Sequence, residues 1–399
     1  MRILIKIIIT GLWLVSISCN SHELVLNQDE AYLELKNYQN ELDSFRNAIG
    51  KSYDLPDVKF FQFGMGSRHK LLYKNGILTE ALGTDTIEKW DVSVEIIIPS
   101  EYAVFIKSKQ GKSYTLSEDT VAVWLSSGKT RRAIPGTRSP LKLPDFQDYQ
   151  YPMIMRELHH EILINIVDGK PVPNLYVYSR PWRRDGAMIA MCLEATGNLD
   201  LIKNWVLTLN DAYDRNNAGE NEADNLGQTL YLLSLFTDKS HPLVDTILNE
   251  IKKFEVKDKY GQYIRGRSDF HETPCYQTKW LKFGLKQLGL PDAYSVPKVE
   301  DDYSALFWWD FKDTYLAGTK DANDKGFYPY LGWACDHFHQ THTSPISNRD
   351  YPLTWEIQAG QANYQGMNCI DSVFVEKKIA VPHTWHAAEI LLYLLEEKK

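Results

Sequence analysis

The sequence predicts a mainly α fold: an α/α toroid, two concentric rings of antiparallel helices, preceded by a small β-rich module. Three observations carry the prediction. From residue 151 onward, stretches that are apolar on every side alternate with stretches that are apolar on one side only. A helix of the first kind must be buried all round and one of the second kind half-exposed, so their alternation describes an inner and an outer ring. Before residue 140 the texture differs, with short β-branched and aromatic runs broken by turn residues. Pro140 and Pro144, flanking Leu141, Lys142 and Leu143, mark the link between the two.

The chain accordingly divides into residues 1–19, 20–150 and 151–399. The first is a targeting segment: Arg2 and Lys6 lead into an apolar stretch over 7–17, closed by Ser18 and Cys19. That stretch is too short to cross a membrane comfortably. A small residue before a cysteine at this place resembles a bacterial lipoprotein signal, with plain secretion as the alternative. The resemblance implies that Cys19 becomes the lipidated first residue, anchoring the chain in the cell envelope, at its periplasmic face or on the cell surface. The remaining cysteines, Cys192, Cys275, Cys335 and Cys369, form no CxxC pair, so no zinc knuckle is expected. Disulfides are compatible with such a compartment, and Cys192, inside an apolar run, reads as a buried hydrophobe.

Residues 24–50 read as one amphipathic helix, since Leu33, Leu35, Tyr38, Leu42 and Phe45 recur at near-helical spacing before Gly50. About six strands follow between 56 and 140, with Asn75-Gly76 as a tight hairpin turn. Helices are then expected over 153–167, 186–195, 199–213, 226–236, 243–254, 276–288, 353–364 and 386–395. The stripe Ile202, Trp205, Val206, Leu209 and Tyr213 makes 199–213 one-sided, as Val244, Ile247, Leu248, Ile251 and Phe254 do for 243–254. Residues 300–345, dense in aromatics and glycine, read as long loops with short helices.

Composition excludes one class of partner. The net charge is −8 and no basic run is present, so nothing offers the cationic face that nucleic acid requires. Eleven Trp and 23 Tyr suit sugar recognition, because sugar C–H faces stack on aromatic rings.

The chain centres on the segment from Tyr178 to Met191. Trp182, Arg183, Arg184 and Asp185 open a helix that is apolar from Ala187 to Leu193, with Asp185 complementing the positive end of the helix dipole. This element resembles the Trp-x-Arg-Asp element of six-hairpin (α/α toroid) glycosidases, the glucoamylase and trehalase relatives. Pro382, His383, Thr384 and Trp385 look like the Pro-x-x-Trp stretch that opens their last inner helix. The resemblance covers roughly residues 151–399 and implies that Arg184 and Asp185 bind sugar hydroxyls, with Trp182 alongside and His383 near the site.

Glycoside hydrolysis needs two carboxyls, one carrying a proton and one acting as base or nucleophile. Glu222 is the first candidate, ahead of Asp224 and Glu220, at the mouth of the 226–236 helix. Glu356 is the second, with the neighbouring Trp355 as a stacking ring. Asp336 and His337, in a cluster with His339 and His342, suit sugar contact; no metal and no cofactor is expected. The reading is therefore a lipid-anchored glycoside hydrolase acting on an oligosaccharide or polysaccharide. A polysaccharide lyase, using His and Tyr beside an arginine, and a non-catalytic glycan-binding lipoprotein are the alternatives.

Overall fold

The computed structural model describes residues 26–48, 58–297 apart from 260 and 270, 299, 354, 356–357 and 363–396. Helix α1 (Gln28–Ala48) leads into two antiparallel meanders. The first sheet has the order β1 (Phe60–Phe63), β2 (Leu71–Lys74), β3 (Ile77–Glu80), β4 (Thr86–Lys89). The second runs β5 (Val92–Ile98), β6 (Ala103–Ser108), β7 (Ser113–Glu118), β8 (Val123–Ser127), β9 (Thr130–Ala133). The expected Asn75-Gly76 turn joins β2 to β3, with Lys74 opposite Ile77 and both turn residues at positive φ, 49° and 74°. One end of α1 packs Ala31 with Ile96, Ile98 and Phe105 of the second sheet. Its other end sets Phe45 edge-on to Tyr151, just ahead of the next helix.

The C-terminal region contains α2 (Pro152–Ile164), α3 (Arg183–Ala195), α4 (Lys203–Leu207), α5 (Asp224–Ser234), α6 (Pro242–Ile251), α7 (Pro274–Gln287), α8 (Ser372–Glu376) and α9 (Thr384–Glu396). Small hairpins are interleaved with them: β10 (Ile166–Val167) with β11 (Lys170–Pro171), β12 (Glu255–Asp258) with β13 (Gly261–Ile264), β14 (Arg267–Ser268) with β15 (His271–Glu272), and β16 (Glu356–Ile357) with β17 (Ile379–Ala380). Five helices lie side by side in the order α2, α9, α3, α5, α7. The all-apolar runs mark the inner members: residues 187–193 of α3 are at most 5% exposed. The tightest crossing joins α5 to α7 through Gly227 and Gly284. A Cβ on Gly227 would sit 2.2 Å from the Trp280 carbonyl carbon, and one on Gly284 would sit 2.4 Å from the Gly227 oxygen.

This architecture corrects the predicted mainly α toroid. The structure is 39% helix and 22% strand, with the four- and five-stranded sheets filling the N-terminal region. Among the described residues the helices do not close on themselves. Beyond α2 the next neighbours are α1 and the Pro99–Glu101 turn between β5 and β6. An apolar run reports that a helix is covered, not what covers it, and here sheets and hairpins supply part of the cover.

Smaller differences have the same origin. The 199–213 stripe is a 3-10 turn (Leu199–Ile202) and the five-residue α4, after which the chain turns to place Asp214. Among the described residues the N-terminal module has nine strands, because β4 and β9 are too polar to stand out in the sequence. Of the helix expected over 353–364, the described residues 356–357 form the strand β16 and Tyr364 opens the 3-10 turn Tyr364–Cys369; residues 353, 355 and 358–362 lie outside the described residues. Cys192 is buried with its thiol directed at the Ala388 carbonyl, as a small core residue would be.

Candidate functional site

The head of α3 is buried although it is charged. Arg183, Arg184 and Asp185 are all 4–5% exposed, and buried charges persist only when paired or hydrogen-bonded. Arg184 meets this requirement with three carboxylates. Its Nε donates to Asp224 Oδ2 at 2.9 Å, its Nη2 to Glu222 Oε2 at 3.0 Å, and its Nη1 to Asp269. Asp224 comes from the first turn of α5, Glu222 from the loop before it, and Asp269 from the tip of the β14–β15 hairpin. Positive φ at Asp269, 48°, turns the hairpin so that its own N–H also reaches Glu222 Oε1 at 2.7 Å.

Asp224 is held by further donors, Ser268 Oγ at 2.7 Å and Gln228 Nε2 at 2.9 Å. Gln277 of α7 donates to the same Ser268 hydroxyl at 3.1 Å, so the network ties three helices and a hairpin together. Burial alone would lower the Arg184 pKa, but Asp224, Asp269 and Glu222 outweigh it and hold the guanidinium charged. The arginine stands over the Trp385 ring at 5.3 Å, and the Trp385 indole donates to the buried Glu389 at 3.2 Å.

Two carboxyls of this neighbourhood keep their protons to about neutrality. Burial pushes Asp185 up to about 7, only partly offset by Arg184 and reinforced by Asp214 and Asp269. Burial likewise pushes Glu222 up to about 7, with Arg184 opposing and Asp224 and Asp269 adding to it. They differ in what surrounds them. Both Glu222 oxygens accept hydrogen bonds and its side chain is 2% exposed. Asp185 Oδ1 is buried without a hydrogen-bond partner. Asp214 shares that trait: its Oδ2 caps the Arg183 N–H, its Oδ1 is left over, and burial raises its pKa.

An aromatic ledge adjoins the cluster. The Arg180 guanidinium lies across Trp182 at 4.2 Å, Trp182 meets Tyr178 edge-on at 6.4 Å, and Tyr178 meets His383 at 5.8 Å. Burial pushes His383 down to about 3, so its imidazole is neutral.

The structure thus gathers Trp182, Arg184, Asp185 and Glu222 in one neighbourhood and connects His383 to it through Tyr178. The arginine is turned inward, toward protein carboxylates. Glu356 is described only as backbone, on β16 opposite Ala380, near the entry to α9, where the His383 N–H reaches the Thr354 carbonyl at 2.9 Å. Trp355, Asp336, His337 and Cys19 lie outside the described residues. Among the described residues no group of three or more His, Cys, Asp and Glu is arranged to hold a metal ion. At the centre of the acidic cluster the cation is the guanidinium. Asp214 and Asp269 were not singled out by the sequence. Asp269 has a faint signal, as a turn residue between two short extended runs, and Asp214 has none. No family model, curated protein or solved structure matches the chain.

A pH profile of stability follows. His159 and His383 sit at about 3 because of burial. The unfolded chain protonates these imidazoles below about 6.5, so stability falls as pH drops from there toward 3. Asp185 and Glu222, at about 7 in the fold, lose their protons near 4 when unfolded, so stability falls as pH rises from about 4 through 7. Denaturation midpoints are expected to peak in the weakly acidic range. Asp185→Asn should flatten the alkaline side, and an unchanged alkaline slope would show that Asp185 does not titrate as described.

Proposed function

We propose that the chain is a carbohydrate-active hydrolase that cleaves a glycosidic bond at the head of α3, with Asp185 as the acid. The observation that carries this is the Asp185 carboxyl: 5% exposed, one oxygen without a partner, and a proton retained to about pH 7. Glycosidic cleavage needs one carboxyl that is protonated at working pH and another that is not. Asp269 is the partner carboxyl on geometry: its side chain is 35% exposed, the most open in the Arg184 network, and it is paired with that guanidinium. Glu222 and Asp224, with every oxygen engaged, hold Arg184 and so position the pair.

The resemblance of Trp182–Asp185 to a glycosidase element supports a sugar substrate, and half-buried Trp182 supplies an aromatic surface for it. With the signal at Cys19, the reading is an enzyme of the bacterial cell envelope, held to the membrane by a lipid and acting on an oligosaccharide or polysaccharide. Among the described residues no helix is long and apolar enough to cross a membrane. The lyase alternative is less well supported. Each Arg184 nitrogen, Nε, Nη1 and Nη2, already donates to a protein carboxylate, which a uronate would have to displace or share.

The test is reducing-end release from a panel of plant and host glycans. Asp185→Asn is expected to lower turnover by about 10²–10⁴-fold, the usual contribution of a positioned acid. Asp185→Asn turning over at the parental rate would refute the assignment, and an ultraviolet-absorbing unsaturated product would replace hydrolysis by elimination.

A further inference from the structure

A groove of about 630 Å³ runs between the β module and the helical body, away from the Arg184 cluster and sharing no residue with it. Its volume lies within the roughly 300–1,000 Å³ of ligand sites. We propose that this groove is a second saccharide site, taking an uncharged sugar chain. The ligand class rests on the hydrolase reading, whereas the site itself does not.

Leu141 from the module and Leu201 from the helical body line it, and they meet over Gly66, where an added Cβ would lie 2.7 Å from Leu141 and 3.4 Å from Leu201. The two walls are clasped to each other. The Lys142 N–H donates to Asn198 Oδ1 at 3.0 Å, and Asn198 Nδ2 donates back to the Lys142 carbonyl at 2.8 Å. The cleft is therefore formed before any ligand arrives, which spares the ligand the cost of ordering it.

Around this apolar strip stand Asp168, at the tip of the β10–β11 hairpin, with Asp200, Asn204 and Lys142. Among the described residues none of these four side chains makes a hydrogen bond or an ion pair. Acceptors and donors thus face a ready-made cleft with their hydrogen-bonding capacity unused, although the Asp168 charge also attracts the buried Lys70. Two carboxylates and an amide suit hydroxyl donors, and the leucines suit the C–H face of a sugar ring. The charges, two negative and one positive, nearly balance, so an anionic chain gains little here and meets two carboxylates.

The test uses the full chain carrying Asp185→Asn, so that binding is read without turnover. Neutral hexasaccharides of glucose, mannose and xylose are titrated calorimetrically, with a hexagalacturonate as the charged comparison. One neutral series is expected to bind. Combining Asp168→Ala with Asp200→Ala should weaken it by about tenfold or more, and Asn204→Trp should abolish it by filling the cleft. Melting curves verify that these exposed substitutions leave the fold intact. Amide exchange across residues 197–204 should slow when the sugar is added. The proposal is overturned if no neutral hexasaccharide binds, if the groove variants bind like the parent, or if the galacturonate binds more tightly. A parental chain that releases no reducing ends from any glycan, while groove binding behaves as expected, would remove the hydrolase reading alone.

Discussion

Replacing Arg184 by methionine is expected to destabilise the fold by about 3–5 kcal/mol at pH 7.5, the usual consequence of removing one partner from a buried ionic network. The reason is what remains behind. Glu222 and Asp224 have side chains 2% and 0% exposed, so without the cation these adjoining carboxyls lie buried either as uncompensated charge or at the cost of taking up a proton. Methionine fills the volume and cannot restore the charge. The deficit has a predicted pH dependence. Glu222 sits at about 7 against the pull of Arg184 and takes up its proton more readily without it, so the loss should shrink as pH falls toward 5. Arg184→Lys should lie between the two, because a single ammonium cannot reach three carboxylates arranged around a planar fork. Urea denaturation at pH 7.5 and 5.5 measures both effects. A loss below about 1 kcal/mol that does not change with pH would mean that the network is a surface ornament of the kind that contributes little.

Gly227→Ala is the second large effect, and it runs against helix propensity. In an exposed helix interior the substitution would stabilise by about 1 kcal/mol. At this position the new methyl would stand 2.2 Å from the Trp280 carbonyl carbon and 2.4 Å from both the Leu281 nitrogen and the Trp280 oxygen. These are backbone atoms of α7, which cannot swing aside as a side chain does, so α5 and α7 must separate. Overpacking of a core typically costs about 1–3 kcal/mol and occasionally more, and the upper end applies where backbone meets backbone. The damage should spread to the site. α5 carries Asp224 and α7 carries Gln277, which share Ser268 as a hydrogen-bond partner. Gly227→Ala should therefore lower the denaturation midpoint and, with it, the pH dependence that Glu222 and Asp185 confer. A variant melting within experimental error of the parent would show that the helices do not cross at this distance.

The two substitutions also separate what could be read in the chain from what could not. Gly227 sits in an apolar run whose helical character is plain from its neighbours, yet nothing local says that another helix passes within contact of its Cα. Arg184 could be recognised as important from its place between Trp182 and a buried run. Its partners come from positions 38, 40 and 85 residues away, and one of them, Asp269, is an ordinary hairpin-tip residue by composition.

Legible in the chain alone were features set within a few residues: the apolar runs of α3, α5 and α9, the stripe of α6, the Asn75-Gly76 hairpin, and an arginine and acids at helix heads. Periodicity and turn chemistry are local, so they survive being read one segment at a time. Tertiary packing decided what covers the buried helices, which among the described residues form a layer flanked by sheets and hairpins instead of a closed ring. It also decided that Arg184 faces inward and that Asp185 and Asp214 are left with unpartnered oxygens. Burial and charge pairing depend on distances between segments far apart in the chain, and the free energy of a charge depends on those distances more than on the residue that carries it.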